Sequence, residues 1–257
     1  MRDFTLHTYN TLLSAIKNKG YKFLTFEKYI KNTIKDRIQN EKVVVLRHDV
    51  DRLPKYALNM AKVEENLEII SSYYFRITPN SNNPIIITKI KKLGHEIGYH
   101  YEDLSLAKGN YEKAIRSFEK NLEYFRKFYN VKTICMHGSP MAKWDNRDIW
   151  KNYNYKNYDI LGEPYFDLDY NKIAYFTDTG RKWNSNSENI RDKVDSLFSH
   201  NFASTNDIIN SFYDDLMPKN IMINVHPHRW TDDYIGWSKE KIFQPIKNCV
   251  KIVINSI

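Results

Sequence analysis

Five polar segments stand at the ends of short apolar runs, and together they hold the side chains able to do hydrolytic chemistry. VVVL at 43–46 leads into Arg47, His48, Asp49, Val50 and Asp51. EIGY at 96–99 leads into His100, Tyr101 and Glu102. TICM at 133–136 leads into His137 and Gly138, AYFT at 174–177 into Asp178, and INV at 223–225 into His226, Pro227 and His228. Three pairs are spaced by two: Asp49 with Asp51, His100 with Glu102, and His226 with His228. On an extended chain that spacing turns both side chains to one side. Converging nitrogen and oxygen donors are what a divalent metal requires. Hydrolysis at a metal also requires a carboxylate left off the metal, to take a proton from water. Two carboxylates two residues apart can divide those roles.

The same residue types have structural uses. An Asp after a strand often caps a loop, and Glu102 has the alternative of capping the next helix. His48 alternates away from the Asp pair and reads as a packing residue. His95 follows Gly94, which ends a helix, and also reads as structural. His228 and Arg229 read as rim residues, and His7 and His200 carry no signal. In TDTGRKW at 177–183, Asp178, Arg181 and Trp183 either line a sugar site, with the indole face stacking on a ring, or form an ordinary turn over a buried Trp.

The elements that must position these groups alternate. Residues 5–37 read as two helical stretches, one carried by Leu12, Leu13 and Ile16, the other running from Phe23 to Ile34. The run at 43–46 fits a strand buried on both faces. Pro54 suits the first position of a helix over 54–67, and Ile85 to Leu93 a helix closed by Gly94. A long amphipathic helix covers Tyr111 to Tyr129. Strands are expected at 71–77, 96–100, 132–136 and 221–226, two or three short ones within 158–178, and a last one at 250–254. Helices are expected at 188–199, 205–217 and 238–248. Strands alternating with helices imply βαβ units and a mainly parallel sheet. Six to eight such strands favour a complete or distorted barrel, whose chemistry gathers at the C-terminal ends of the strands.

A net charge of +8 over 257 residues does not indicate nucleic acid, because no block of five like charges occurs. Cys135 and Cys249 are too few for a disulfide framework and read as small packing residues. MRDFTLHTYN has no charged region followed by an apolar run, and no stretch of about 18 apolar residues occurs. The expected address is therefore the cytoplasm, without stable membrane insertion. The oligomeric state is not legible.

LRHDVD at 46–51, GHEIGYHYE at 94–102, MHGSP at 136–140, TDTGRKW at 177–183 and INVHP at 223–227 resemble, in order, the five motifs of the polysaccharide deacetylase (NodB-homology, carbohydrate esterase family 4) superfamily. Within it the chain is most similar to a subgroup associated with surface-polysaccharide biosynthesis. The resemblance implies one domain over 1–257 on a distorted or incomplete (β/α) barrel of about seven parallel strands, with 1–40 a helical extension packed on it. It implies a divalent metal, zinc being the expected ion, and an N-acetylated sugar as substrate. Asp51, His100 and Glu102 are the expected metal ligands, with His137 as the alternative third ligand or a catalytic group. Asp49 is the expected base and His226 the expected acid. Asp178, Arg181 and Trp183 are the expected substrate contacts. Three departures stand out. Leu104 occupies the place four after His100 where the family carries a second histidine, Val50 separates the aspartates, and His137 stands where the family has an arginine. The rival readings are an inactive carbohydrate-binding protein on the same fold and a metal-dependent glycosyltransferase using the Asp-x-Asp pair.

Overall fold

The computed structural model describes residues 2–35, 40–138, 143–183, 194, 198 and 202–255, with side chains as far as 244. Seven strands among them form one sheet in which every pairing is parallel. They are β1 (Lys22–Leu24), β2 (Val43–Val50), β3 (Ser72–Phe75), β4 (Glu96–Tyr101), β5 (Ile134–Met136), β6 (Ala174–Thr177) and β7 (Asn220–Val225). The order is β5-β4-β3-β2-β7-β6, with β1 beside the first half of β2. β5 and β6 do not pair, so the sheet is an incomplete barrel. The helices are α1 (Leu6–Asn18), α2 (Phe26–Ile34), α3 (Pro54–Asn66), α4 (Pro84–Lys92), α5 (Asp103–Leu106), α6 (Tyr111–Arg126), α7 (Pro164–Asp167), α8 (Thr205–Tyr213) and α9 (Tyr234–Asn255). No described helix is long and apolar enough to cross a membrane.

The period of two in β2 organises the molecule. All eight of its residues are buried. Val43 and Val45 point into the barrel interior, where they meet Phe26, Tyr74, Cys135, Tyr175 and Met222. Val44 and Leu46 point outward, against Leu12, Leu13 and Ile16 of α1. By the same alternation Arg47, Asp49 and Asp51 continue the interior row, while His48 faces the helical layer. Gly98 of β4 lies on the interior face, where an added Cβ would sit 2.3 Å from the Tyr74 ring. Glycine there admits the tyrosine, whose hydroxyl bonds Thr133 on the next strand but one.

Several elements differ from the sequence reading. Phe23 lies in β1 rather than in a helix, because residues 22–24 complete the edge of β2. β2 runs on to Val50, so Asp49 is inside the strand and not in the loop after it. The segment 158–178 supplies β6 and one bridge, Thr133 to Gly162. Its Glu163 side chain instead caps the short helix Pro164–Asp167. Residues 250–254 continue α9 rather than form a strand. Ile242, Ile246, Cys249 and Val253 already had helical spacing, which outweighed the β-branched composition. The helix expected at 188–199 lies outside the described residues, apart from isolated positions.

Candidate metal centre and active site

β2, β4 and β5 lie in register, with His100 opposite Cys135 and Tyr101 opposite Met136. The residue after β5 is therefore His137, whose backbone N–H donates to the Tyr101 carbonyl. His137 lies two past Cys135 and turns to the same interior face. Asp51 reaches that space from β2. Its Oδ1 stands 3.6 Å from His100 Nε2 and 3.5 Å from His137 Nε2. Ligand bonds near 2.1 Å in a tetrahedral site set donors about 3.4 Å apart, so these atoms fit around one divalent cation. The side chains agree with that use. Asp51 Oδ1 is buried without a hydrogen-bond partner. His100 Nδ1–H donates to the Cys135 carbonyl at 2.9 Å, which leaves Nε2 as the free lone pair. Asp51 is held well below the usual carboxylate range: burial opposes its charge, but His100, His137 and His226 outweigh it.

Glu102, expected as a ligand, is turned elsewhere. Arg76 grips it with two hydrogen bonds, Nε to Oε1 at 2.8 Å and Nη2 to Oε2 at 2.7 Å. Oε2 also lies 3.1 Å from His137 Nδ1. A carboxylate committed to a guanidinium is a poor metal donor; it lies beside His137 Nδ1 without the geometry of a hydrogen bond. Among the described residues the group at ligand spacing is Asp51, His100 and His137, so the candidate for a third donor stands just after β5 and not at Leu104. Leu104 itself is packed in the core under α6. A second group able to hold a metal, Asp49 with His100 and Cys135, lies deeper. It fits less well, because Asp49 is already committed.

Asp49 Oδ2 accepts from Arg47 Nη2 and from Asn224 Nδ2, both at 3.0 Å. Arg47 is fully buried and lies over the rings of Tyr165 and Tyr175. These contacts hold Asp49 ionised: burial raises its pKa, but Arg47, His100 and His226 bring it below the usual value. Its Oδ1 is left bare, and the carboxylate lies 4.0 Å from His100 Nε2. An ionised carboxylate beside a candidate metal site, held through one oxygen and unbonded at the other, can take a proton.

Asp178 does not face a substrate. It is fully buried and accepts four hydrogen bonds: from the His226 backbone N–H, from His226 Nδ1 at 2.6 Å, from Arg229 and from Trp230 Nε1. Arg229 and His226 outweigh its burial and hold it far below the usual range. Its work is to fix His226, whose Nε2 then points to Asp51 Oδ2 at 4.0 Å. Trp183 is also removed from the sugar role. It is 2 % exposed, its Nε1 donates to Thr205, and it packs with Phe4 and Trp230. Arg181 turns to α9, donating to the Trp237 carbonyl and lying over that indole. All three residues expected to contact substrate thus bond or pack against other parts of the chain.

His48 and His95 are structural, in keeping with their sequence positions. Both belong to a buried network on Glu64, which accepts from Tyr9 at 2.6 Å and Tyr73 at 2.8 Å and lies 2.9 Å from His48. His228 is buried, its Nδ1 has no partner, and burial beside Arg229 pushes its pKa well below the ordinary histidine value. The sequence reading gave no role to Arg47, Asn224 or Arg76 and took Arg229 for a rim residue. Arg47 and Asn224 lie two before Asp49 and His226, so alternation alone marked them. Arg76 and Arg229 carried no such mark.

The chain matches no family model, and no curated protein matches it. Among solved structures it is similar to a Streptococcus pyogenes deacetylase in complex with acetate, at 17% identity over 61% of this chain and 73% of the other, TM-score 0.48. It is similar to a family 4 carbohydrate esterase from Bacillus anthracis, at 12% identity over 91% and 84%, TM-score 0.43. It is also similar to a family 4 pseudoenzyme from Bacillus anthracis, at 10% identity over 82% and 62%, TM-score 0.43.

Proposed function

We propose that the chain is a metal-dependent deacetylase of the NodB-homology kind, removing the N-acetyl group from an amino sugar in a glycan or glycan precursor, with zinc as its metal. One observation carries the reading. Asp51, His100 and His137, one buried and two half-buried, stand at ligand spacing, with the unbonded oxygen of Asp49 and the Asp178-held His226 beside them. Cation-binding groups flanked by a proton acceptor and a proton donor are what amide hydrolysis needs.

A divalent cation bound there supplies Lewis acidity toward a carbonyl oxygen and toward water. Asp49 takes the proton of the attacking water on its free Oδ1, while Arg47 and Asn224 keep the carboxylate aimed. His226 protonates the departing amine from Nε2, because a bare amide anion is a very poor leaving group. Asp178 accepts from Nδ1–H and so stabilises the imidazolium that carries the Nε2 proton given to the amine. The third ligand supplied by His137 removes the main reason to read the chain as an inactive binding protein.

The test is acetate release from N-acetylated hexosamines by zinc-loaded protein and its Asp49→Asn variant. The variant should keep one equivalent of zinc and lose about 100-fold or more of its rate, the usual range for a general base. Full activity in Asp49→Asn would remove the base assignment. No acetate from any amino sugar with zinc bound would remove the reaction.

A further inference from the structure

Helix α9 carries its polarity inverted. Where its side chains are described, the positions turned to the body of the protein include two polar ones: Gln244 is buried, and Glu240 is paired with Arg52 at 2.5 Å. The positions turned outward are apolar. Tyr234, Ile235, Ile242 and Phe243 are each more than half exposed. Ile235 and Ile242, seven residues apart, lie two turns apart on one line of the helix. A surface helix ordinarily buries its apolar stripe, and a contiguous exposed one marks an interaction surface. Charge decides which partner fits. α9 holds four lysines, Lys239, Lys241, Lys247 and Lys251, against one acid, Glu240, whose charge Arg52 already answers. Arg2 lies over the rings of Tyr234 and Trp237, and Lys241 over Trp237. Arg2, Lys239 and Lys241 are exposed, and among the described residues none of them forms an ion pair. Asp232 and Asp233 precede the helix and accept from backbone N–H groups of His7, Ile235 and Gly236. A second copy would set these cations against themselves, on a chain of net charge +8. An anionic bilayer offers an apolar layer and the opposite charge together.

We propose that α9 is a membrane-surface helix that docks the protein on an anionic phospholipid bilayer, with Tyr234, Ile235, Ile242 and Phe243 in the interface and Arg2, Lys239 and Lys241 against the headgroups. It lies on the bilayer and does not span it, since no described helix is long and apolar enough to cross. Glu240 ties the helix to Arg52, the residue after Asp51, and the helix packs on the turn Thr179–Arg181 that follows β6. Docking therefore brings the strand ends that carry the candidate site towards the bilayer. The inference does not depend on the proposed reaction.

The experiment is co-sedimentation of the full chain with vesicles of phosphatidylcholine alone and of equal parts phosphatidylcholine and phosphatidylglycerol. Wild type is compared with two double variants, Ile235→Ser with Ile242→Ser and Lys239→Glu with Lys241→Glu. Wild type should partition onto the anionic vesicles about tenfold or more above the neutral ones, and less so as ionic strength rises. The isoleucine variant should lose about tenfold of that partition, because it removes apolar surface that the bilayer buries. The lysine variant should lose about tenfold or more, and chiefly from the anionic vesicles. Both variants should unfold close to wild type, since all four side chains are exposed. Equal partition of wild type onto the two kinds of vesicle overturns the inference, as does none onto either. Unchanged partition of either variant also overturns it. A concentration-dependent dimer in solution that the isoleucine variant abolishes gives the face to a second copy and overturns it too.

Discussion

Replacing Glu102 by Gln tests whether His137 is a ligand supported by the carboxylate beside it. Glu102 is 5 % exposed, bonded twice by Arg76, and 3.1 Å from His137 Nδ1. Burial raises its pKa, but His137 and Arg76 more than offset this and bring it from 4.5 to about 2. A shift of that size corresponds to about 3 kcal/mol, at roughly 1.4 kcal/mol per unit. Because the folded pKa is the lower one, this stability is present above pH 4.5 and is lost as the pH falls from 4.5 towards 2. The amide cannot carry the charge, and it cannot both satisfy Arg76 and set an oxygen beside His137 Nδ1. Zinc affinity should therefore fall about 10- to 100-fold, or about 1.4–2.8 kcal/mol, which lies within the 3 kcal/mol available. The assay is competition for zinc with a chelator of known affinity, beside acid-unfolding curves of both proteins. Wild type should lose more stability than Glu102→Gln on acidification. Equal zinc affinities and parallel acid curves would refute the reasoning and return the third ligand to an open question.

Asp178→Asn should lower the rate of acetate release about 10²- to 10⁴-fold, because His226 loses the acceptor that fixes its tautomer. It should also lower stability by about 3–5 kcal/mol, since Arg229 is left buried without its carboxylate; denaturant unfolding and steady-state kinetics read the two effects. Glu64→Gln should destabilise by about 3–5 kcal/mol while zinc stoichiometry stays at one, because His48, Tyr9 and Tyr73 all converge on that carboxylate on the helical side of β2. Trp183→Ala should destabilise by about 3–5 kcal/mol as a core truncation. Its sugar affinity, measured on the folded fraction, should match wild type; a selective loss of sugar binding would restore Trp183 to the site.

Much of the arrangement was written in local pattern. A continuous β-branched run followed by Asp-x-Asp marks a buried strand that delivers two carboxylates to one face, and alternation is a property of the chain itself. The same logic placed His100, His137 and His226 at strand ends, and so on the face where a barrel gathers its chemistry. It also sent His48 to the opposite layer, where it is found. Which partner each side chain turns to was decided only by the fold. Which partner Glu102 turns to depends on Arg76, 26 residues away just after β3. Asp178 as substrate contact or as anchor depends on His226, 48 residues away. Sequence spacing holds no distance between strands, and a carboxylate bonds whichever cation the packing brings within 3 Å. The placing of His137 beside Asp51 and His100 therefore came from the register of β5 on β4, and the bonding of Asp178 to His226 from the pairing of β6 with β7.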